Sequence, residues 1–225
     1  MNKRILHLSA LAVGCLGGMA FSFGGWAVIT VEDLPQRLTV GQPVSIAFMV
    51  RQHGTRPLEG LKPTLTATDG SRATEQISAP AEASGPVGHY VAKFVVPRAG
   101  NWTLTINGDF AAAQLTLHPI PAAAGNAPRT QIAEAPSEQG RRLFVAKGCV
   151  TCHVLGGVTG NRTLPVGPDL TPKRYQADYL TKYLADPSIA RTPGAQNVMP
   201  NLGLKTPEIA ALVAFINSDR QVSAR

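Results

Sequence analysis

The chain has 225 residues, of which 44% are hydrophobic and 16% are charged, and its formal net charge is +7. Residues 28–118 balance seven Lys and Arg against seven Asp and Glu, whereas residues 119–225 carry twelve against seven. The basic residues form no run and are not interleaved with aromatics, which argues against nucleic-acid binding. The excess on the C-terminal half suits a mildly basic surface or one that docks on an acidic partner.

The N-terminus has the order of a secretory signal, with Lys3 and Arg4 followed by a long apolar stretch. Small residues allow cleavage after Ala27 or after Ala20. The stretch also exceeds the ~20 residues that span a bilayer, so an uncleaved membrane anchor is an alternative. A third alternative is a lipoprotein signal ending at Cys15. Each alternative places the rest of the chain in the periplasm or on the outer face of the inner membrane.

Residues 28–118 have the pattern of short strands, and we predict about seven of them. Period-two alternation of apolar and polar residues marks the clearest segments, with turn signals between them. These segments are residues 44–50, 63–68, 90–96, 102–106 and 114–117. Such a series predicts an antiparallel β-sandwich.

Gly88, Tyr90 and Trp102, with the residues between them, carry a resemblance. The stretch resembles the small immunoglobulin-like domains of periplasmic proteins, of the YtkA/FixH-like or copper-resistance type. The resemblance implies an immunoglobulin-like fold for residues 28–118.

Residues 119–136 are rich in Ala and Pro and predict an extended, semi-rigid linker. From residue 137 onward the pattern becomes helical. We therefore predict a signal or anchor at residues 1–27, a β-domain at residues 28–118, the linker, and an all-α domain at residues 137–225.

The sequence Cys149-Val150-Thr151-Cys152-His153 matches the C-x-x-C-H haem-attachment signature. Its two thiols would add to the two haem vinyl groups, and His153 would reach the iron as an axial ligand. A redox dithiol, a disulfide and half of a zinc site are the alternatives. A zinc site needs further ligands, and no Cys or His follows His153. The spacing favours one covalently attached haem c.

A sixth iron ligand is expected to be a sulfur or a second histidine. Met199 is the one methionine after His153, 46 residues downstream, and it precedes Pro200. A core methionine is the alternative role. Ligation by His153 and Met199 would leave no open position on the iron, which argues against oxygen or peroxide chemistry.

The segment from residue 137 to about residue 219 resembles the class I cytochrome c domain. Ser137 is expected to cap a first helix, and Thr206 is expected to cap a last helix that Pro207 and Glu208 begin. The resemblance implies that these helices cross at Gly140, Phe144 and Phe215.

The same resemblance assigns residues to the haem site. It implies that the Pro168 carbonyl, within Gly167-Pro168-Asp169-Leu170, accepts a hydrogen bond from His153. We expect the apolar crevice to be lined by Phe144, Tyr179, Tyr183 and Leu202. Arg162 and Arg191 are candidate partners for the haem propionates.

One-electron transfer is the leading interpretation, by an electron carrier without an active site of its own. It would act alone or as a subunit of a respiratory or dehydrogenase complex, with redox proteins as partners. A copper-handling protein, with a thiol-free site drawn from His53, His89, His118 and Met49, is an alternative, because the β-domain has no cysteine. A haem sensor from which Met199 dissociates is another.

Overall fold

The computed structural model describes residues 25–70, 72–111, 113–125, 134–158, 164, 166–190 and 199–218. Most of the predicted signal or anchor, residues 1–24, and the centre of the predicted linker, residues 126–133, lie outside these ranges. Among the helices that are described, none combines the length and the apolar character needed to cross a membrane.

The N-terminal half is built from strands. In chain order these are β1 Ala27–Val31, β2 Leu38–Thr39, β3 Pro43–Gln52, β4 Arg56–Pro57, β5 Thr64–Asp69, β6 Arg72–Ala83, β7 His89–Val95, β8 Gly100–Asn107, β9 Gln114–Thr116 and β10 Ile120–Ala123. They join in one curled sheet in the order β1-β3-β7-β6-β5-β8-β10-β2, with β4 on β3 and β9 on β8. All pairings are antiparallel except that of β10 with β2.

Strand β6 explains why the sheet is continuous. Its first part pairs with β5 up to Pro80, and its last residues, from Ala81, pair with β7. The sequence pattern predicted no strand here because the segment is polar and contains a proline, which removes one ladder hydrogen bond. The prediction of an antiparallel, strand-rich domain is confirmed, and its strands form one sheet that curls over its own apolar face, with Phe48, Tyr90 and Trp102 buried inside.

Strands extend beyond both predicted ends of the β-domain. Strand β1 begins at Ala27, inside the predicted signal, and Ala27 pairs with Gln52. Strand β10 lies in the predicted linker, and its Ile120 is fully buried opposite Trp102. The Ala and Pro content of this segment gave no strand pattern. The strand is stabilised by its pairing with β8.

The C-terminal half contains the helices α1 Pro136–Ala146, α2 Cys149–Cys152, α3 Ala177–Ala185 and α4 Thr206–Ile216, with a 3-10 turn at Pro187–Ala190. Neither predicted cap is observed. Helix α1 begins one residue before Ser137, and Lys205 rather than Thr206 precedes α4. The Glu208 carboxylate accepts the Lys205 N–H at 2.9 Å, so it satisfies a free amide at the start of the helix.

Helices α1 and α4 cross in close contact. A Cβ atom at Gly140 would lie 2.6 Å from the Ala211 carbonyl carbon and 2.6 Å from the Phe215 Cβ, so only glycine fits. The rings of Phe144 and Phe215 meet edge to face, 5.8 Å apart. This crossing fixes the position of α1 and therefore of the C-x-x-C-H segment that follows it.

The two halves pack against each other along β1. All five residues of β1 are buried, although only one of its edges is paired within the sheet. The residues after α1 cover it: a Cβ at Gly148 would lie 2.5 Å from the Ile29 carbonyl oxygen. Gly148 also has a φ of 75°, a backbone conformation that glycine adopts without strain.

Lys147 stabilises the contact between the two halves. Its ammonium lies 2.8 Å from a carboxylate oxygen of Glu208 and donates to the Glu32 carbonyl oxygen at 2.7 Å. Its backbone carbonyl accepts a weaker bond from Thr30 at 3.4 Å. A lysine that is 5% exposed thus links α1, α4 and the end of β1.

Candidate functional site

The C-x-x-C-H segment forms a single helical turn that follows α1 along the chain. Helix α2 runs from Cys149 to Cys152, and the His153 N–H donates to the Cys149 carbonyl at 2.9 Å. Side chains three and four residues apart lie on one face of a helix. The turn therefore brings both thiols and the imidazole to the same side, where all three line one crevice.

Contacts with Gly167 and Pro168 hold the His153 ring in one orientation. Its Nδ1 lies 3.0 Å from the Pro168 carbonyl oxygen. The Gly167 N–H donates to the Cys152 carbonyl at 3.0 Å, and a Cβ at Gly167 would lie 2.5 Å from the ring. A bond donated by Nδ1–H leaves Nε2 as the nitrogen that can bind a metal.

The pKa values of Cys149, Cys152 and His153 help to decide between a haem-attachment site and a redox-active dithiol. Burial raises the pKa of Cys149 to about 12, with a further contribution from Cys152, and raises the pKa of Cys152 to about 11. Burial lowers the pKa of His153, and the bond to Pro168 opposes this. Redox-active C-x-x-C dithiols have lowered thiol pKa values. The raised thiol pKa values of Cys149 and Cys152 are unlike those of such a pair.

The crevice has a volume of about 320 Å³, in the range of small-molecule sites. Its lining is mostly apolar and brings together residues from every helix of the C-terminal half. Of the residues proposed from the sequence, it includes Cys149, Cys152, His153, Pro168, Met199, Phe144, Tyr179, Tyr183 and Leu202.

Met199 lies on the segment that leads into α4 and is partly buried against the core. The rings of Tyr179 and Tyr183 stack in the crevice with centroids 6.0 Å apart. Tyr179 is 47% exposed, which is high for a large aromatic side chain of a helix. Two thiols, an imidazole and a thioether in one apolar crevice form the donor set that fits haem c.

Three lining residues come from the β-domain: Trp26, Val28 and His53. The sequence assigned none of them to the haem crevice, and it proposed His53 only for a copper site. Trp26 stands in the segment that was interpreted as a leader, and His53 is a single histidine in a turn. No local signal identifies either residue, because only the packing of β1 on Gly148 brings them to the crevice.

The other predicted residues are not gathered into a site. Arg162 and Arg191 lie outside the described residues. His89 contacts Glu32, and His118 lies 3.1 Å from Arg141 at the contact between the two halves. In the part of the chain that the structure describes, no three His, Cys, Asp or Glu side chains form a metal-binding group. A copper site built from histidines thus has no geometric support there.

Comparison with known proteins bears on the helical half. Residues 137–219 match the family model described as cytochrome c. The match supports the cytochrome c resemblance predicted from the sequence, and domains of that family carry haem and exchange electrons with redox partners. No curated protein matches the chain significantly.

Solved structures resemble this chain only weakly. Superoxide reductase (neelaredoxin) from Ignicoccus hospitalis is 12% identical, with a TM-score of 0.30, and the match covers 47% of this chain and 88% of that one. The ZirS C-terminal domain is 10% identical, with a TM-score of 0.31 and coverages of 55% and 87%. These scores are too low to support any argument about function.

Proposed function

We propose that this protein is an exported c-type cytochrome that carries one haem and transfers single electrons, alone or as a subunit of a respiratory or dehydrogenase complex. The observation that carries the proposal is the shared crevice of Cys149, Cys152, His153 and Met199.

Each residue of the crevice has a distinct role in this proposal. Cys149 and Cys152 would hold the haem through thioether bonds, and His153 through Nε2 and Met199 through its sulfur would bind the iron. A haem c held there would supply one-electron chemistry, and a methionine ligand would raise its reduction potential.

The remaining residues control the environment of the haem, namely the orientation of its histidine ligand, its exposure to water and its rigidity. Pro168 holds the His153 ring in one orientation through the bond at 3.0 Å. Phe144 and Tyr183 help to exclude water from the crevice, which favours the less charged, reduced state. The close crossing at Gly140 keeps this shell rigid, so that little reorganisation accompanies electron transfer.

Export is part of the proposal, and the fold bears on how the chain is processed. A cut after Ala27 would remove Trp26 from the crevice and the first residue of β1. We therefore favour either cleavage upstream of Gly25, as after Ala20, or a retained anchor. Intact-mass measurement of the exported protein distinguishes the alternatives, and a mature chain that starts at Val28 would contradict both.

The β-domain, which we propose to be immunoglobulin-like, would position the cytochrome domain against redox partners that have acidic surfaces. The basic excess of residues 119–225 supports this preference. Electron-transfer rates should then fall with rising ionic strength. Rates that do not depend on salt would refute an electrostatic docking step.

The central experiment uses the full chain expressed with haem-maturation factors. We expect a pyridine haemochrome equivalent to one haem per chain and a near-infrared charge-transfer band from methionine sulfur to iron. Met199→Ala should lose that band and lower the reduction potential, whereas Met49→Ala, in β3, should change neither. An unchanged Met199→Ala spectrum would exclude Met199 as a ligand, and a chain without covalent haem would exclude the function.

A further inference from the structure

The wall of the crevice beside Met199 is provided by the β-domain. Trp26, Val28 and His53 line the same space as Cys149 and Met199. We propose that the β-domain is a component of the haem site, and that Trp26 and His53 close the crevice beside the Met199 segment against water and small ligands. This inference rests on the function proposed above.

The wall lies beside the haem-binding segment on two sides. On one side, the Gly148 position, next to Cys149, packs tightly against Val28, whose Cγ1 would be 2.5 Å from an added Cβ. On the other side, Gly54 faces Pro200, the residue after Met199, since an added Cβ would lie 3.5 Å from its Cγ, an ordinary van der Waals distance. The β-domain is therefore adjacent to both the attachment turn and the segment of the proposed methionine ligand.

Trp26 and His53 form one unit within this wall. The His53 N–H donates to the Trp26 carbonyl at 2.9 Å, and their rings lie with centroids 5.4 Å apart at an angle of 52°. Both are large rings that line a mostly apolar crevice. They can cover the edge of a bound planar group.

The turn that presents His53 is conformationally strained. His53 has a φ of 52°, in the left-handed region that is unfavourable for a non-glycine residue, and Gly54 follows with a φ of 74°. The Gly54 N–H donates to the Arg51 carbonyl at 3.3 Å, which holds the turn closed. Glycine at position 53 would satisfy this backbone better, so the imidazole is present at a cost to stability.

Fixed rings beside the methionine segment would limit two processes. Water would reach the iron less readily, which favours the reduced state, and an added ligand would have to pass these rings before it displaces Met199. A β-domain that acted only as a spacer would affect neither process. The two roles therefore predict different behaviour of the same holoprotein.

The test is imidazole binding to the ferric holoprotein, followed in the visible spectrum, together with potentiometry. We expect Trp26→Ala and His53→Gly to bind imidazole about tenfold more tightly, which corresponds to ~1.4 kcal/mol, and to have more negative reduction potentials. Trp26→Phe keeps a ring and should behave as wild type.

Two controls match these variants. Thr55→Ala changes an exposed residue of the same turn, and Lys205→Ala removes an exposed ion pair between the two halves without touching the crevice. Both should retain wild-type affinity. An equal gain in Lys205→Ala would assign the effect to loosened domains and overturn the inference.

The outcomes separate this inference from the proposed function. Wild-type protein with covalent haem, and Trp26→Ala and His53→Gly with unchanged imidazole affinity and potential, would overturn only the role of the β-domain. Wild-type protein without covalent haem would overturn both. Tighter imidazole binding confined to the two wall variants would establish the β-domain as part of the haem site.

Discussion

Replacing Lys147 with methionine tests whether the two halves of the chain are one structural unit. The ammonium lies 2.8 Å from Glu208 and 2.7 Å from the Glu32 carbonyl, and the side chains of Lys147 and Glu208 are 6% and 13% exposed. Methionine keeps most of the apolar stem but leaves a buried carboxylate without its cation. Breaking such a pair costs about 3–5 kcal/mol.

We expect Lys147→Met to lower the free energy of unfolding by about 3 kcal/mol, the lower end of that range. Glu208 keeps one partner, the Lys205 N–H, which limits the loss. Guanidinium unfolding of the holoprotein, followed by circular dichroism, measures the change. The double variant Lys147→Met/Glu208→Gln should recover about 2 kcal/mol, because its carboxamide carries no uncompensated charge.

Lys205→Met is the matched control, because Lys205 also links the two halves, through Asp33 at 2.6 Å. The side chains of that pair are 63% and 80% exposed, so water screens it and we expect no measurable change. If Lys147→Met were within about 0.5 kcal/mol of wild type, the buried-pair reasoning would be wrong. Equal losses in both lysine variants would refute it as well.

Three further changes test the two cores and their contact. Gly140→Ala should destabilise the holoprotein by at least about 2 kcal/mol in thermal unfolding, since a Cβ would force α1 away from α4; a variant as stable as wild type would refute the crossing. Tyr90→Phe should cost about 1 kcal/mol in the same assay, because the hydroxyl donates to a loop carbonyl at 2.9 Å; no loss would show that this bond is replaced by water. Burial, and then the charge of Arg141, lower the pKa of His118, so protonation favours the unfolded chain and stability falls as pH drops below about 6.5. His118→Gln should flatten that fall in pH-dependent denaturation, and an unchanged slope would exclude His118 as its source.

Local patterns predicted much of the fold. Alternation identified β3, β5, β7 and β8, because a strand that buries one face repeats every two residues. Strands β6 and β10 escaped prediction, because their sequences are polar or rich in Ala and Pro and they are stabilised by their partners. The two helix starts were placed within two residues, but the capping residues were wrong at Ser137 and Thr206.

The sequence by itself determined the chemistry of the candidate site. Cys149, Cys152 and His153 are neighbours along the chain, so their spacing specifies one helical turn, and Met199 is the one sulfur that follows them. Family resemblance then placed Pro168 beside His153 and Gly140 at the helix crossing, where the structure has them.

The tertiary structure alone decided what surrounds that site. Trp26 and His53 reach the crevice because β1 packs on Gly148, more than one hundred residues away along the chain. The bond from Lys147 to Glu32 spans 115 residues. Contacts of this kind depend on the shapes of two finished surfaces, and such complementarity leaves no periodicity or motif in either segment.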